Sequence, residues 1–183
     1  MNFTGTITIE TKRLRLRRIT LADATPMFHN WANDDQVTRY LTWNSHQSVE
    51  NTQEVIRFWI EQYASSFFFH WAIVYFPTHE LVGTISLFKI DQETKTGEIG
   101  YCLSKKFWNR GIMTEAVHAV LDFAFNTVGF KEIEAKHYLE NPASGRVMEK
   151  NKMVKMENIT SFSKKDNKDI VLTVYRIKKE DFV

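Results

Sequence analysis

The sequence predicts an α/β (α+β) fold: a mixed, mostly antiparallel sheet of about six or seven strands with helices on both faces. Three observations predict it. Apolar runs separated by short polar turns, as around Pro77-Thr78-His79-Glu80 and Asp91 to Thr96, read as an antiparallel meander. A strand, helix, strand succession from Glu98 to Tyr138 covers about forty residues and makes its two strands parallel. Each helical stretch carries one apolar side, which needs a sheet to cover it.

In chain order, Leu14 and Leu16 alternate with Arg15 and Arg17, a strand. Thr20-x-x-Asp23 forms a capping box opening a helix to about Ala32, with Ala24, Met27, Phe28 and Trp31 on its apolar side. Val37 to Trp43 reads as a packed irregular stretch. Ser48 is the N-cap of a helix from Val49 to about Ala64, whose apolar side is Val55, Ile56, Trp59, Ile60 and Tyr63. Trp71 to Tyr75, Leu81 to Ile90 and Glu98 to Leu103 are strands, and a helix ending near Gly129 follows. Glu132 to Tyr138 is the next strand, and Ser144 to Asn151 a short helix. Val154 to Phe162 and Asp169 to Ile177 form a hairpin around Ser163–Lys168.

The 183 residues are read as one domain, residues 1–183. An aromatic content of 14% excludes a disordered chain. One cysteine excludes an internal disulfide, and the six histidines have no metal-ligand spacing, so no metal is expected. The net charge of +2, without a clustered basic face, gives no case for nucleic acid. No apolar run reaches the ~20 residues of a membrane helix and none resembles a signal peptide, so the expected location is the cytoplasm, with no membrane partner.

The most informative stretch is Gly97 to Val128. A short apolar strand leads into a basic loop, Ser104 to Arg110, closed by Gly111. Met113, Ala116, Val117, Val120, Leu121, Ala124 and Val128 then recur at helical spacing. The first turn of a helix offers unpaired N–H groups and about half a positive charge, and a glycine there lets an anion approach the backbone. Lys105, Lys106 and Arg110 add charge beside it. A phosphate site and an ordinary βα turn are both consistent with this spacing.

Gly97–Tyr101, followed by Asn109-Arg110-Gly111-Ile112-Met113-Thr114-Glu115-Ala116, resembles the acetyl-CoA-binding core of the GNAT acetyltransferases. The family's Gln/Arg-x-x-Gly-x-Gly/Ala loop falls on Trp108 to Met113. Gly111 matches its central glycine, while Trp108 and Met113 depart from the outer positions. The segment Glu140-Asn141-Pro142-Ala143-Ser144-x-Arg146-Val147-Met148-Glu149-Lys150 and the opening Glu10-Thr11-Lys12-Arg13-Leu14-x-Leu16-Arg17 are similar to the RimJ/RimL branch, which acetylates ribosomal-protein N-termini. The resemblance spans about residues 8 to 180. It implies the GNAT acyl-CoA N-acyltransferase fold and transfer of an acetyl group from acetyl-CoA to a primary amine by direct attack in a ternary complex. A homodimer is an open assembly. The acceptor is a protein N-terminus or a small amine such as a polyamine, amino acid or aminoglycoside. A non-catalytic acyl-CoA-binding protein on the same fold is the rival reading.

The resemblance also implies the site. The strand before the loop is expected to part from its parallel neighbour at a bulge, and backbone groups of Tyr101, Cys102 and Leu103 to bond pantetheine. Asn109 to Thr114, with Trp108, Arg110, Gly111, Ile112 and Met113, would hold the diphosphate by backbone N–H groups, and Lys106 and Arg110 would reach its charges. Asn141 would bridge to pantetheine, and Ser144 would donate to the leaving thiolate; helix capping is the alternative for both. Glu98 is the expected general base acting through water and an attractor of the cationic amine, against a lysine-paired sheet charge. Cys102 as a side chain reads as core rather than nucleophile. Trp31, Tyr40, Trp43, Trp59 and Tyr63 would line the acceptor groove, with ordinary core packing as the alternative. Lys152 stands where the family has a helix-ending glycine, so Asn151 is expected to take the left-handed position.

Overall fold

In the computed structural model, which describes residues 1–182, an eight-stranded sheet runs in the order β1-β2-β3-β4-β5-β6-β8-β7. The strands are β1 (Ile9–Glu10), β2 (Leu14–Arg17), β3 (Phe69–Tyr75), β4 (Glu80–Asp91), β5 (Thr96–Leu103), β6 (Glu132–Tyr138), β7 (Val154–Ser163) and β8 (Lys168–Lys178). All neighbours are antiparallel except β5 and β6. The strand beyond the expected number is β1, two residues paired to Arg15 and Leu16 and too short to leave a periodicity.

Helices cover both faces. On one, α4 (Ile112–Asp122) and α5 (Pro142–Lys150) lie over Leu14, Leu16, Trp71, Ile85, Ile99 and Ile133. On the other, α1 (Ala24–Met27), α2 (Asp35–Thr38) and α3 (Val49–Gln62) enclose Met27, Trp31, Ile56, Ala72, Leu81 and Cys102. Strand alternation sends Ile99, Tyr101 and Leu103 of β5 to the α4 face and Glu98 and Cys102 to the other.

The helix expected from Thr20 to Ala32 is divided into a 3₁₀ turn, α1 and a wide π turn over Phe28–Ala32. Its start is as read: the Asp23 carboxylate accepts from the Thr20 N–H at 2.7 Å and from both Arg17 Nη atoms at 2.7 Å. Burial alone would push the Asp23 carboxyl up; the hydrogen bonds from Arg17 and Thr20 outweigh it and hold the group below its ordinary range. Val37 to Trp43, expected to be irregular, begins in α2. Asp34 caps this helix, accepting from the Gln36 N–H. Ser48 caps α3, but Ile60, expected on its apolar side, is 39% exposed, and Thr52 is buried instead. After α4 a second wide turn, Phe123–Val128, rotates Phe123, Phe125 and Val128 together into the core before Gly129 ends the helix at φ 91°.

The α5 terminus corrects the expectation for Asn151. Lys152 itself is left-handed, φ 61°, and Asn151 is not, φ −93°. The Met153 N–H donates to the Met148 carbonyl and the Lys152 N–H to that of Glu149, a Schellman closure. Asn151 stays inside because its amide donates to the carbonyls of Thr114 and Val147, joining α5 to α4.

Gly83 on β4 faces Leu103, and a Cβ there would lie 2.2 Å from the Cys102 carbonyl oxygen. A backbone atom cannot swing aside, so Gly83→Ala should cost about 2–3 kcal/mol and lower the thermal midpoint, as read by calorimetry. A midpoint equal to the parent's would refute the close approach of β4 and β5.

Candidate active site

β5 and β6 pair only from Thr96↔Glu132 to Ile99↔Ala135, and both strands then continue without pairing to each other. The second half of β5 therefore offers alternate peptide N–H and C=O groups to a gap instead of a neighbour. The parting occurs without a bulge in β5, which stays in register with β4 from Gly83↔Leu103 to Phe88↔Glu98. The register shift lies just beyond, between Phe88 and Asp91, where Lys89 is left-handed at φ 49°.

The loop into α4 opens from the same strand. After a 3₁₀ turn at Lys105–Phe107, Asn109 and Gly111 are both left-handed, φ 60° and 71°. The first intrahelical bond runs from the Glu115 N–H to the Gly111 carbonyl at 3.1 Å. Among the described residues, no acceptor is found for the N–H groups of Asn109 to Thr114. A concave run of free N–H groups at a helix start is an anion cradle.

Gap and loop share one cleft of ≈ 420 Å³, walled by β5, the loop, α5 and α2. It gathers Tyr101, Cys102, Leu103, Trp108, Asn109, Gly111, Ile112, Met113, Thr114, Asn141 and Ser144, the expected cofactor residues apart from Lys106 and Arg110, together with Tyr40. The Trp108 indole donates to the Leu103 carbonyl at 2.8 Å. Asn141 is the N-cap residue of α5 yet makes no side-chain cap, so its amide is not consumed by capping. Ser144 is not a cap either. Its hydroxyl donates to the Tyr101 phenol at 3.0 Å, and that phenol donates to the Ser144 carbonyl at 3.0 Å. Burial raises the Tyr101 phenol above its ordinary pKa, so it stays a neutral donor.

Several expected residues lie elsewhere. Lys106 pairs with Glu80 at 2.8 Å, and the Arg110 guanidinium sits over the Phe107 ring, so neither lines the cleft. Trp31 is 0% exposed in the core, and Trp43 packs against His46 away from the cleft. Trp59 lies on His70, while the Tyr63 hydroxyl accepts from the Ile19 N–H and donates to the His70 carbonyl, structural roles for both. Glu98 is buried on the α3 face, roughly 13 Å along β5 from Cys102. Its Oε2 accepts from Lys89 and from Lys136, each at 2.9 Å. The lysine-paired arrangement is therefore the one the chain adopts, and Glu98 does not line the cleft.

Sequence reading missed Gln36 and Leu41, which reach the cleft from the α2 region. It also missed Arg146 and Lys150, two cations on its α5 wall. Their four-residue spacing on one helical face was a signal that could have found them.

An unpaired strand edge running into an anion cradle at a helix start is the arrangement of an acyltransferase that holds a long phosphorylated thiol ester. The comparisons agree. A family profile, "Acetyltransferase (GNAT) domain", matches residues 13–154, and the chain belongs to this family of acyltransferase enzymes, which use acetyl-CoA. YoaA, an uncharacterized N-acetyltransferase of Bacillus subtilis (strain 168), is 33% identical over 140 residues, 76% of this chain and 78% of that one. The uncharacterized N-acetyltransferase p20 of Bacillus licheniformis is 32% identical over 161 residues, 86% and 83% of the two chains. The ribosomal-protein-serine acetyltransferase of Escherichia coli (strain K12) is 32% identical over 76 residues, 42% of each. Among solved structures, a GNAT-family acetyltransferase from Bacillus anthracis superposes with a TM-score of 0.83 at 25% identity, covering 95% of this chain and 99% of that one. The microcin C7 self-immunity acetyltransferase MccE, in complex with acetyl-CoA and AMP, shares the fold with a TM-score of 0.80 at 17% identity over 92% and 93%. Among the described residues no helix is long and apolar enough to cross a membrane.

Cys102 is 8% exposed and its thiol is pushed up to about 12 by burial. An ordinary thiol ionises near 8.5. At pH 8.5 the native chain should therefore resist a thiolate-selective disulfide reagent and react only after denaturation. Stoichiometric reaction of the native protein within minutes would contradict this burial.

Proposed function

We propose that this chain transfers the acetyl group of acetyl-CoA to a primary amine by direct attack within a ternary complex. One observation carries the reading: the free edge of β5 leads into N–H groups of Asn109 to Thr114 that have no acceptor among the described residues. Acetyl-CoA, when bound, supplies the activated thioester. Backbone groups of Tyr101 to Leu103 are placed to hold an amide-bearing arm and polarise its carbonyl. The N–H groups of Asn109 to Thr114 suit the diphosphate, and Arg146 and Lys150 add positive charge on the opposite wall. Asn141 has its amide available for the same arm. Ser144 can turn its hydroxyl from the Tyr101 phenol to donate a hydrogen bond to a departing thiolate, which takes its proton from the attacking amine through water. Glu98 lies on the same strand but outside the cleft, with its carboxylate shared by Lys89 and Lys136, so the attacking amine gives up its proton to water rather than to this group.

For the acceptor we favour a protein N-terminal amine, as in the RimJ/RimL branch. The stretch shared with the Escherichia coli ribosomal-protein-serine acetyltransferase supports this. So does the shape beside the cleft. Tyr40 lies against Tyr138 with ring centres 5.5 Å apart, and Lys165 donates to the carbonyls of Thr38 and Arg39, tying the β7–β8 turn to the end of α2. Such a closed side admits a chain end more readily than a side chain within a folded surface.

The test is thiol release from acetyl-CoA with short peptides bearing free N-termini and with a panel of small amines. Release with the peptides and not with their N-acetylated forms is expected; release with no amine at all would sink the enzymatic reading. Gly111→Val should raise the acetyl-CoA dissociation constant at least about tenfold in calorimetry, because a branched residue at φ 71° distorts the cradle. Ser144→Ala should lower kcat about tenfold or more with little change in that constant. An unaltered kcat would remove Ser144 from the mechanism.

A further inference from the structure

The opening segment Glu10 to Arg17, similar to the family yet given no part in the chemistry, is fastened to the cleft loop about a hundred residues away. Glu115, in the first turn of α4, is the junction. Its Oε1 accepts from the Thr11 hydroxyl at 2.7 Å and from the Arg13 N–H at 2.9 Å, and its Oε2 accepts from Arg13 Nε at 2.6 Å. The guanidinium continues past it: Arg13 Nη1 donates to the Arg110 carbonyl at 3.0 Å. Nη2 lies 3.5 Å from where a Cβ on Gly111 would stand. Burial would push the Glu115 carboxyl up, but the bonds from Thr11 and Arg13 outweigh this and hold it below its usual range, so the junction is ionic.

The geometry of a peptide unit gives this contact its meaning. In a trans peptide the C=O and the following N–H point to opposite sides. Arg13 holds the Arg110 carbonyl on its own side, outside the cleft wall, so the Gly111 N–H of the same peptide is turned away from Arg13, the side on which Gly111 lines the cleft. Without that bond the peptide could rotate and present a carbonyl oxygen to an anion. Glu115, fixed by the same arginine, donates its own backbone N–H to the Gly111 carbonyl, so the next peptide is fixed as well.

We infer that Arg13 is a positioning residue for the diphosphate cradle: its fork, spanning Glu115 and the Arg110 carbonyl, sets the direction of the loop N–H groups without touching the ligand. The inference rests on the acetyl-CoA reading above. Its test uses the full chain and two ligands, acetyl-CoA by calorimetry and S-acetylpantetheine, which lacks the diphosphate, by NMR titration at millimolar concentration. Arg13→Gln should weaken acetyl-CoA about tenfold and leave S-acetylpantetheine unchanged, so the preference between the two shrinks by that factor. Arg13→Lys keeps the charge but cannot span both partners, and should behave like Arg13→Gln; it also carries the test should the glutamine variant fail to fold. Recovery of full acetyl-CoA affinity in Arg13→Lys would make Arg13 a simple charge and overturn the inference. So would an equal loss for both ligands, or no loss. A parent chain that binds no acetyl-CoA overturns the functional reading itself, and one that binds both ligands equally overturns the cradle.

Discussion

Backbone groups inside a sheet must find partners, and the second half of β5 has given up its partner on one side. Parallel pairing with β6 stops at Ile99 and Ala135, although both strands run on. Leaving peptide groups unpaired costs free energy unless water or a ligand takes them. What keeps the strands apart is α5, which follows β6 directly and engages β5 through the mutual hydrogen bonds of Tyr101 and Ser144. The wedge that opens the sheet thus also places the hydroxyl that faces the opening. The other side of β5 keeps its register with β4, and Gly83 permits that closeness. The strand is firm on one edge and free on the other.

The second feature grows from the same strand. Two left-handed residues, Asn109 and Gly111, turn the chain so that several N–H groups converge before α4 begins. Charge is distributed with some economy around them. Lys106 is committed to Glu80 and Arg110 lies on Phe107, whereas Arg146 and Lys150 come to the cleft from α5. On the far face of the sheet Glu98, Glu134, Lys136 and Arg176 form a separate ionic cluster, in which burial opposes the ionised Glu134 but its partners Lys136 and Arg176 prevail. The two charged regions lie on opposite faces, which is why a carboxylate on the cofactor strand need not be a wall of the cleft.

Much of this was legible in the chain. The period of apolar residues found seven of the strands and the long helices, because burial of one face writes a 2- or 3.6-residue rhythm into a sequence. Gly111 and the helix start were legible because a glycine closing a basic loop before a helical rhythm is a local property, although the spacing left a phosphate site and an ordinary turn both open. Less legible were the side chains. Trp31 and Tyr40 belong to the same stretch of aromatics, yet one is sealed in the core and the other lines the cleft. Glycine's absence at 152 was visible, but not that lysine itself would take the left-handed turn while Asn151 bridged two helices. The wide turns at Phe28–Ala32 and Phe123–Val128 escaped because one extra residue barely disturbs a helical rhythm.

By itself, then, the sequence determined the succession of strands and helices along the chain, which rests on local backbone physics and short spacings, and it carried the resemblance to the family. Only the tertiary structure decided where pairing stops between β5 and β6, which cations face the cleft, and that Arg13 reaches the Arg110 carbonyl. Those are contacts between residues tens to a hundred positions apart. Their cost is loop closure, and their gain appears only when the sheet is assembled, so no window of sequence contains them.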